Sequence, residues 1–181
     1  MRTILLFLLI TSQSNFVLAQ TTVIPDANFE QALINLGYDF GTPDGTVLTA
    51  QIDTVEALNV MNDSIGDLTG IEDFKALSEL NCGGNFLSSI DLSQNSALKF
   101  LRCNNNQLTN LDVSHNVDLN LLNCRNNQID SLNVSQNISL SALFCSFNQI
   151  MNLDLSQNDS LVYLDCSSNL ISNLDLSLNL K

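Results

Sequence analysis

The chain has 181 residues, 45% of them apolar, and carries 19 Asp and Glu against 6 Lys and Arg for a formal net charge of −13. That length suits one domain. The acidity excludes nucleic acid and an anionic membrane surface as partners, because both are held through Lys and Arg. In chain order, residues 1–19 have the pattern of a secretory signal peptide: Arg2, an apolar run from Ile4 to Ile10, then Val17-Leu18-Ala19 at a peptidase-type spacing. The run is too short to span a bilayer, so no membrane insertion is expected. With no Cys directly after it, a lipid anchor is not expected either, and a secreted chain beginning at Gln20 is.

Residues 20–54 precede the repeats and predict an N-terminal cap with one helix. Pro25 and Asp26 suit a first helical turn, and Phe29, Ala32, Leu33 and Leu36 form one apolar face ended by Gly37. Between this helix and the repeats, Asp44-Gly45 has the form of the back half of a calcium loop. The preceding ligand positions hold Phe40 and Thr42, and the last holds Gln51, so a plain Pro-Asp-Gly turn is expected.

Residues 55–181 repeat. A divergent unit of 22 residues, 55–76, places Val55, Leu58, Val60, Ile65 and Leu68 in apolar slots. From Leu77 five units of 21 residues follow, each with one cysteine: Cys82, Cys103, Cys124, Cys145 and Cys166. Leu recurs two positions before each Cys and Asn three after it, with Ser eleven and Asn thirteen after. A fixed period of this size marks a solenoid.

The unit L-x-x-L-x-C-x-x-N-x-[LI]-x-x-[LI]-[DN]-[LV]-S-x-N-x-x resembles the leucine-rich repeat, in the short form of secreted bacterial proteins. The tail from Leu68 to Leu77 resembles the helical back of an internalin-type repeat. The run from Pro25 to Leu77 resembles the start of leucine-rich repeat proteins secreted by Bacteroidetes-type bacteria. The resemblance implies an adhesive or surface-interaction role, and relatives that continue into further repeats or a sorting or anchoring domain.

The expected fold is an α/β repeat solenoid with one short strand per coil. These strands stack into a parallel sheet on the concave face. Because the second half of each unit repeats the apolar spacing of the first, the back is expected to be extended, or to form a second short-strand sheet. The Asn after each Cys should bond backbone groups left unpaired where the chain turns from the strand. The later Ser and Asn have turn chemistry. The cysteines occupy one inward slot, filled by Val60 in the first unit, and predict a column of buried free thiols rather than disulfides.

No cofactor and no metal site are expected, since positions spread along a rod do not converge on an ion. Nor is an enzyme expected. His115 is the chain's one histidine, at a slot otherwise held by Gln or Leu, and the column Asp91, Asp112, Asp154, Asp175 is not a paired acid and base. The Asn-x-Ser strings at Asn62, Asn133, Asn137 and Asn158 follow from the repeat itself.

The informative positions are those the repeat leaves free on the concave sheet. There the sequence places Phe100, Arg102, Leu121, Arg125, Phe144, Phe147 and Tyr163 on one surface. Aromatic and Arg side chains are the usual anchors of an interface. The expected role is binding of a protein partner, or adhesion, through this face. The alternatives are a glycan-binding module, and a structural or truncated repeat segment with no ligand. Leu174, Leu176, Leu178 and Leu180 keep the last unit apolar to its end, so self-association through an uncapped edge is also expected.

Overall fold

The computed structural model describes residues 19–179; the leader expected at 1–19 lies outside the described residues apart from Ala19, as do Leu180 and Lys181. The cap holds more than the one helix expected. β1 (Thr21–Val23) pairs antiparallel with β2 (Thr46–Leu48), with Thr22 opposite Val47, and α2 (Thr49–Ile52) follows α1 (Ala27–Leu36). Strands of three residues whose partners lie far apart in sequence leave no local periodicity.

Asp26 starts α1 as its N-cap. One carboxylate oxygen accepts from the N–H groups of Asn28 (2.8 Å) and Phe29 (3.0 Å). The other accepts from Gly66 (2.7 Å) and Asp67 (3.0 Å), so one side chain ties the helix to the first coil. Phe29, Ala32 and Leu33 are buried, and the Phe29 ring stacks on Phe74 with centroids 6.4 Å apart. Leu36 is 46% exposed, because Gly37 turns the chain away in a left-handed conformation at φ 82°. In the Asp39–Val47 stretch, the buried Glu30 carboxylate accepts from the N–H groups of Asp44 (2.6 Å) and Gly45 (2.8 Å). Gly70 sits tightly under the cap: at φ 102°, a Cβ there would meet the Ile24 side chain at 2.3 Å.

Six parallel strands then stack in sequence order: β3 (Ala57–Asn59), β4 (Glu79–Asn81), β5 (Phe100–Arg102), β6 (Leu121–Asn123), β7 (Ala142–Phe144) and β8 (Tyr163–Asp165). Register is exact to the repeat, so Leu80, Leu101, Leu122 and Leu143 align at the strand centres and are fully buried. Leu164 is partly covered. Val60 and Cys82, Cys103, Cys124 and Cys145 line the next inward slot at 0% exposure, and all five cysteines are free thiols.

Two asparagine ladders hold the coils together. Asn106 donates to the carbonyls of Cys82 and Cys103 (both 3.1 Å) and accepts from the Leu87 N–H (3.0 Å). Asn127 repeats the pattern with Cys103, Cys124 and Leu108 one coil on. The second ladder is the later Asn column, expected from its turn chemistry to sit at turns. Asn95, Asn116, Asn137 and Asn158 are fully buried. Asn116 donates to the carbonyls of Leu92 (3.1 Å) and Asn95 (2.9 Å), and Asn137 to those of Val113 and Asn116.

The acceptors of this second ladder, such as the Leu92 and Asn95 carbonyls, also close the turn within their own coil through the Asn95 and Leu98 N–H groups. Beyond the cap, the back carries only the short 3-10 turn Ile71–Asp73 in the first coil, and among the described residues no strand forms there.

Candidate functional site on the concave face

Alternation along each strand puts the residues on either side of the central Leu on the outer face of the sheet. One row runs Glu79, Phe100, Leu121, Ala142, Tyr163; the other runs Asn81, Arg102, Asn123, Phe144, Asp165. Tyr163 is 64% exposed and Phe100 36%, while Leu121 and Phe144 are half-buried and Ala142 is covered.

The polar contacts of the seven residues singled out by sequence fall into two groups. Phe100 and Arg102 share β5, and the Arg102 guanidinium pairs with Glu79 on β4 at 2.7 Å. One coil further on, Arg125 lies with its guanidinium 4.7 Å from the centre of the Phe144 ring and forms an ion pair with Asp165. Asp165 also accepts from the Ser146 hydroxyl (3.0 Å) and from the hydroxyl (2.6 Å) and N–H (3.1 Å) of Ser167. The Ser167 bonds first, then those from Ser146 and Arg125, hold the Asp165 carboxyl at about 2, below the ordinary carboxylate range. Leu121 lies between the two groups. Both arginines are therefore already paired, and the face offers aromatic surface and compensated charge rather than bare cations.

Phe147 lies just past the end of β7 and is 58% exposed. It holds a left-handed backbone at φ 57°. Sequence reasoning named Phe144 and Arg125 but missed Asp165 as their partner. The signal was present: Arg125 follows a Cys and Asp165 precedes one, and in-register stacking brings those columns side by side.

Elsewhere, His115 is exposed and lies beside the Ser114 hydroxyl (3.3 Å). The Asp column closes local turns, as when Asp91 accepts from the Ser93 N–H (2.9 Å). Among the described residues no group of three or more His, Cys, Asp or Glu is placed to hold a metal ion, and no helix is long and apolar enough to cross a membrane.

No family model matches the chain. Over 72 residues it is 39% identical to internalin J of Listeria monocytogenes, a stretch covering 40% of this chain and 8% of that protein. The solved functional domain of internalin J, described as including a cysteine ladder, superposes with a TM-score of 0.63 at 33% identity, over 89% of this chain and 46% of that one. An internalin (InlF) from the same species matches in fold, with a TM-score of 0.72 at 22% identity over 84% of this chain and 46% of that one. So does the leucine-rich repeat ectodomain of an Arabidopsis thaliana membrane receptor kinase, solved in complex with Casparian strip integrity factor 2. Its TM-score is 0.61 at 22% identity, over 67% of this chain and 16% of that one. The chain thus spans less than half the length of each. The in-register coils, the column of inward cysteines and these similarities give the chain the leucine-rich repeat fold.

Proposed function

We propose that the chain is a secreted or cell-surface module that binds a protein partner, or adheres to one, through its concave face. The observation that carries this reading is the aromatic surface on coils four to six: Phe144 under Arg125, with Phe147 and Tyr163 exposed beside it. A broad sheet face bearing aromatic rings and arginines suits a macromolecular partner. The leader-like residues 1–19 and the similarity to internalin J support an extracellular setting. Pull-down from the native environment with the wild type and a Phe100→Ala, Phe144→Ala double variant tests it. Loss of a specific partner in the double variant is expected, and retention of every partner would refute the concave-face reading.

Glycan binding is a second reading, favoured by the open ring of Tyr163, since sugars stack on aromatic faces. A glycan array giving binding that disappears in Tyr163→Ala would support it. Self-association is a further proposal, motivated by the partly exposed Leu164, Ile171 and Leu174 of the last coil, and light scattering of the purified chain tests it.

A further inference from the structure

The residue two positions after the Cys slot adopts a left-handed backbone in every coil: Asn62 (φ 62°), Gly84 (69°), Asn105 (55°), Asn126 (53°), Phe147 (57°) and Ser168 (54°). This geometry crowds Cβ against the following carbonyl. Gly escapes that cost, and Asn offsets it by local hydrogen bonding. Five of the six coils use Asn, Gly or Ser there, and in one adjacent pair the Asn126 amide donates to Asn105 at 2.8 Å. Phe147 breaks the pattern with a bulky side chain for which this conformation is an outlier. It also fails to bury the ring that could repay the strain, being 58% exposed. Strain at an exposed position, uncompensated by packing, is the mark of a residue kept for something outside the folded chain.

Two further apolar side chains are exposed on this coil and the next. Met151, four residues on, is 58% exposed. Leu170 of the next coil is 59% exposed, and its N–H donates to the Ile150 carbonyl (2.9 Å). The chain as a whole is strongly acidic, with net charge −13. Among the described residues Lys75, Arg102 and Arg125 are each paired with a carboxylate, and Lys99 is the remaining basic side chain. An exposed apolar ring on an acidic chain complements a cationic partner and disfavours an acidic one, a second copy of this chain included.

We propose that Phe147 determines the specificity of the concave site, and that its occupant is a cationic protein segment presenting an aromatic or aliphatic side chain to Phe147. This rests on the protein-binding reading above. The test is selection of a display library of random twelve-residue peptides on the full chain, with the enriched peptides measured against three proteins: wild type, Phe147→Asn, and the Phe100→Ala, Phe144→Ala double variant. Asn is native to this slot in three other coils, so the Phe147→Asn chain is expected to fold.

The expected result is enrichment of peptides with an apolar residue beside Lys or Arg, binding about ten-fold weaker to Phe147→Asn, and a melting temperature for that variant about 2–4 °C higher than wild type. Recovery of binding in Phe147→Tyr would add support. Enriched peptides that are neutral or acidic, no enrichment, or a lower melting temperature for Phe147→Asn would each overturn the proposal. Binding lost in the double variant but unchanged in Phe147→Asn would refute it while leaving the concave-face reading standing. Binding insensitive to both variants would refute both.

Discussion

Arg125 and Asp165 are 40 residues apart in sequence and form an ion pair that reaches across the intervening coil, over the Phe144 ring that Arg125 covers. One guanidinium thereby ties coils four, five and six together on the concave face. Removing it should loosen the face without unfolding the rod, since each coil is also held by buried leucines and asparagine ladders. Arg125→Met is expected to cost about 1 kcal/mol in chemical denaturation, the sum of a partly exposed ion pair and a cation–π contact. A double-mutant cycle with Asp165→Asn should give a non-zero coupling energy. A coupling of zero would mean the pair contributes nothing.

The same pair sets an acid response. Asp165 titrates at about 2 in the folded chain against about 3.9 for an unperturbed Asp. A depressed carboxyl stabilises the fold fully above its unfolded pKa and loses that contribution as pH falls through its folded value. Melting temperatures of wild type and Asp165→Asn should therefore differ by a constant amount above about pH 5 and converge between about pH 4 and pH 2. A difference that persists unchanged to pH 2 would refute the assignment.

Asn127 and Asn137 serve two different ladders with the same chemistry. Asn127 bonds Cys103, Cys124 and the Leu108 N–H near the sheet, whereas Asn137 bonds Val113 and Asn116 toward the back. Alanine at either position strands buried backbone groups, at about 1–3 kcal/mol each. Asn127→Ala additionally orphans an N–H donor, so it is expected to be the more costly of the two. Urea denaturation of both variants measures this, and an unchanged midpoint for either would contradict its ladder role.

The thiol column should be chemically silent. Burial pushes the Cys82 and Cys145 thiols up to about 12 and raises Cys103 and Cys124 well above the ordinary range, where thiolate, the reactive form, is absent at neutral pH. Cys166 is partly exposed and raised as well, again by desolvation. Mass spectrometry without reduction is expected to find five free thiols. Alkylation of the native chain should label Cys166 first and the other four only on unfolding. Early labelling of Cys124 would place that coil differently.

Read alone, the sequence determined the solenoid, its register and the division of each strand into inward and outward residues. A constant period of 21 residues leaves one consistent stacking, and alternation then assigns every side chain near the Cys slot. That is why the buried leucines and cysteines, the first Asn ladder and the candidate concave residues were all legible.

What the tertiary structure decided depends on contacts between coils, which periodicity does not encode. It buried the second Asn column, where the sequence suggested only turns, and left the back without a second sheet among the described residues. It gave the cap a small antiparallel sheet built from distant three-residue strands. It paired Arg102 with Glu79 and Arg125 with Asp165 over the Phe144 ring, because which charges meet depends on how far a side chain reaches across neighbouring coils. And it placed Phe147 in a backbone conformation ill suited to it, a cost visible only once φ at that position is known.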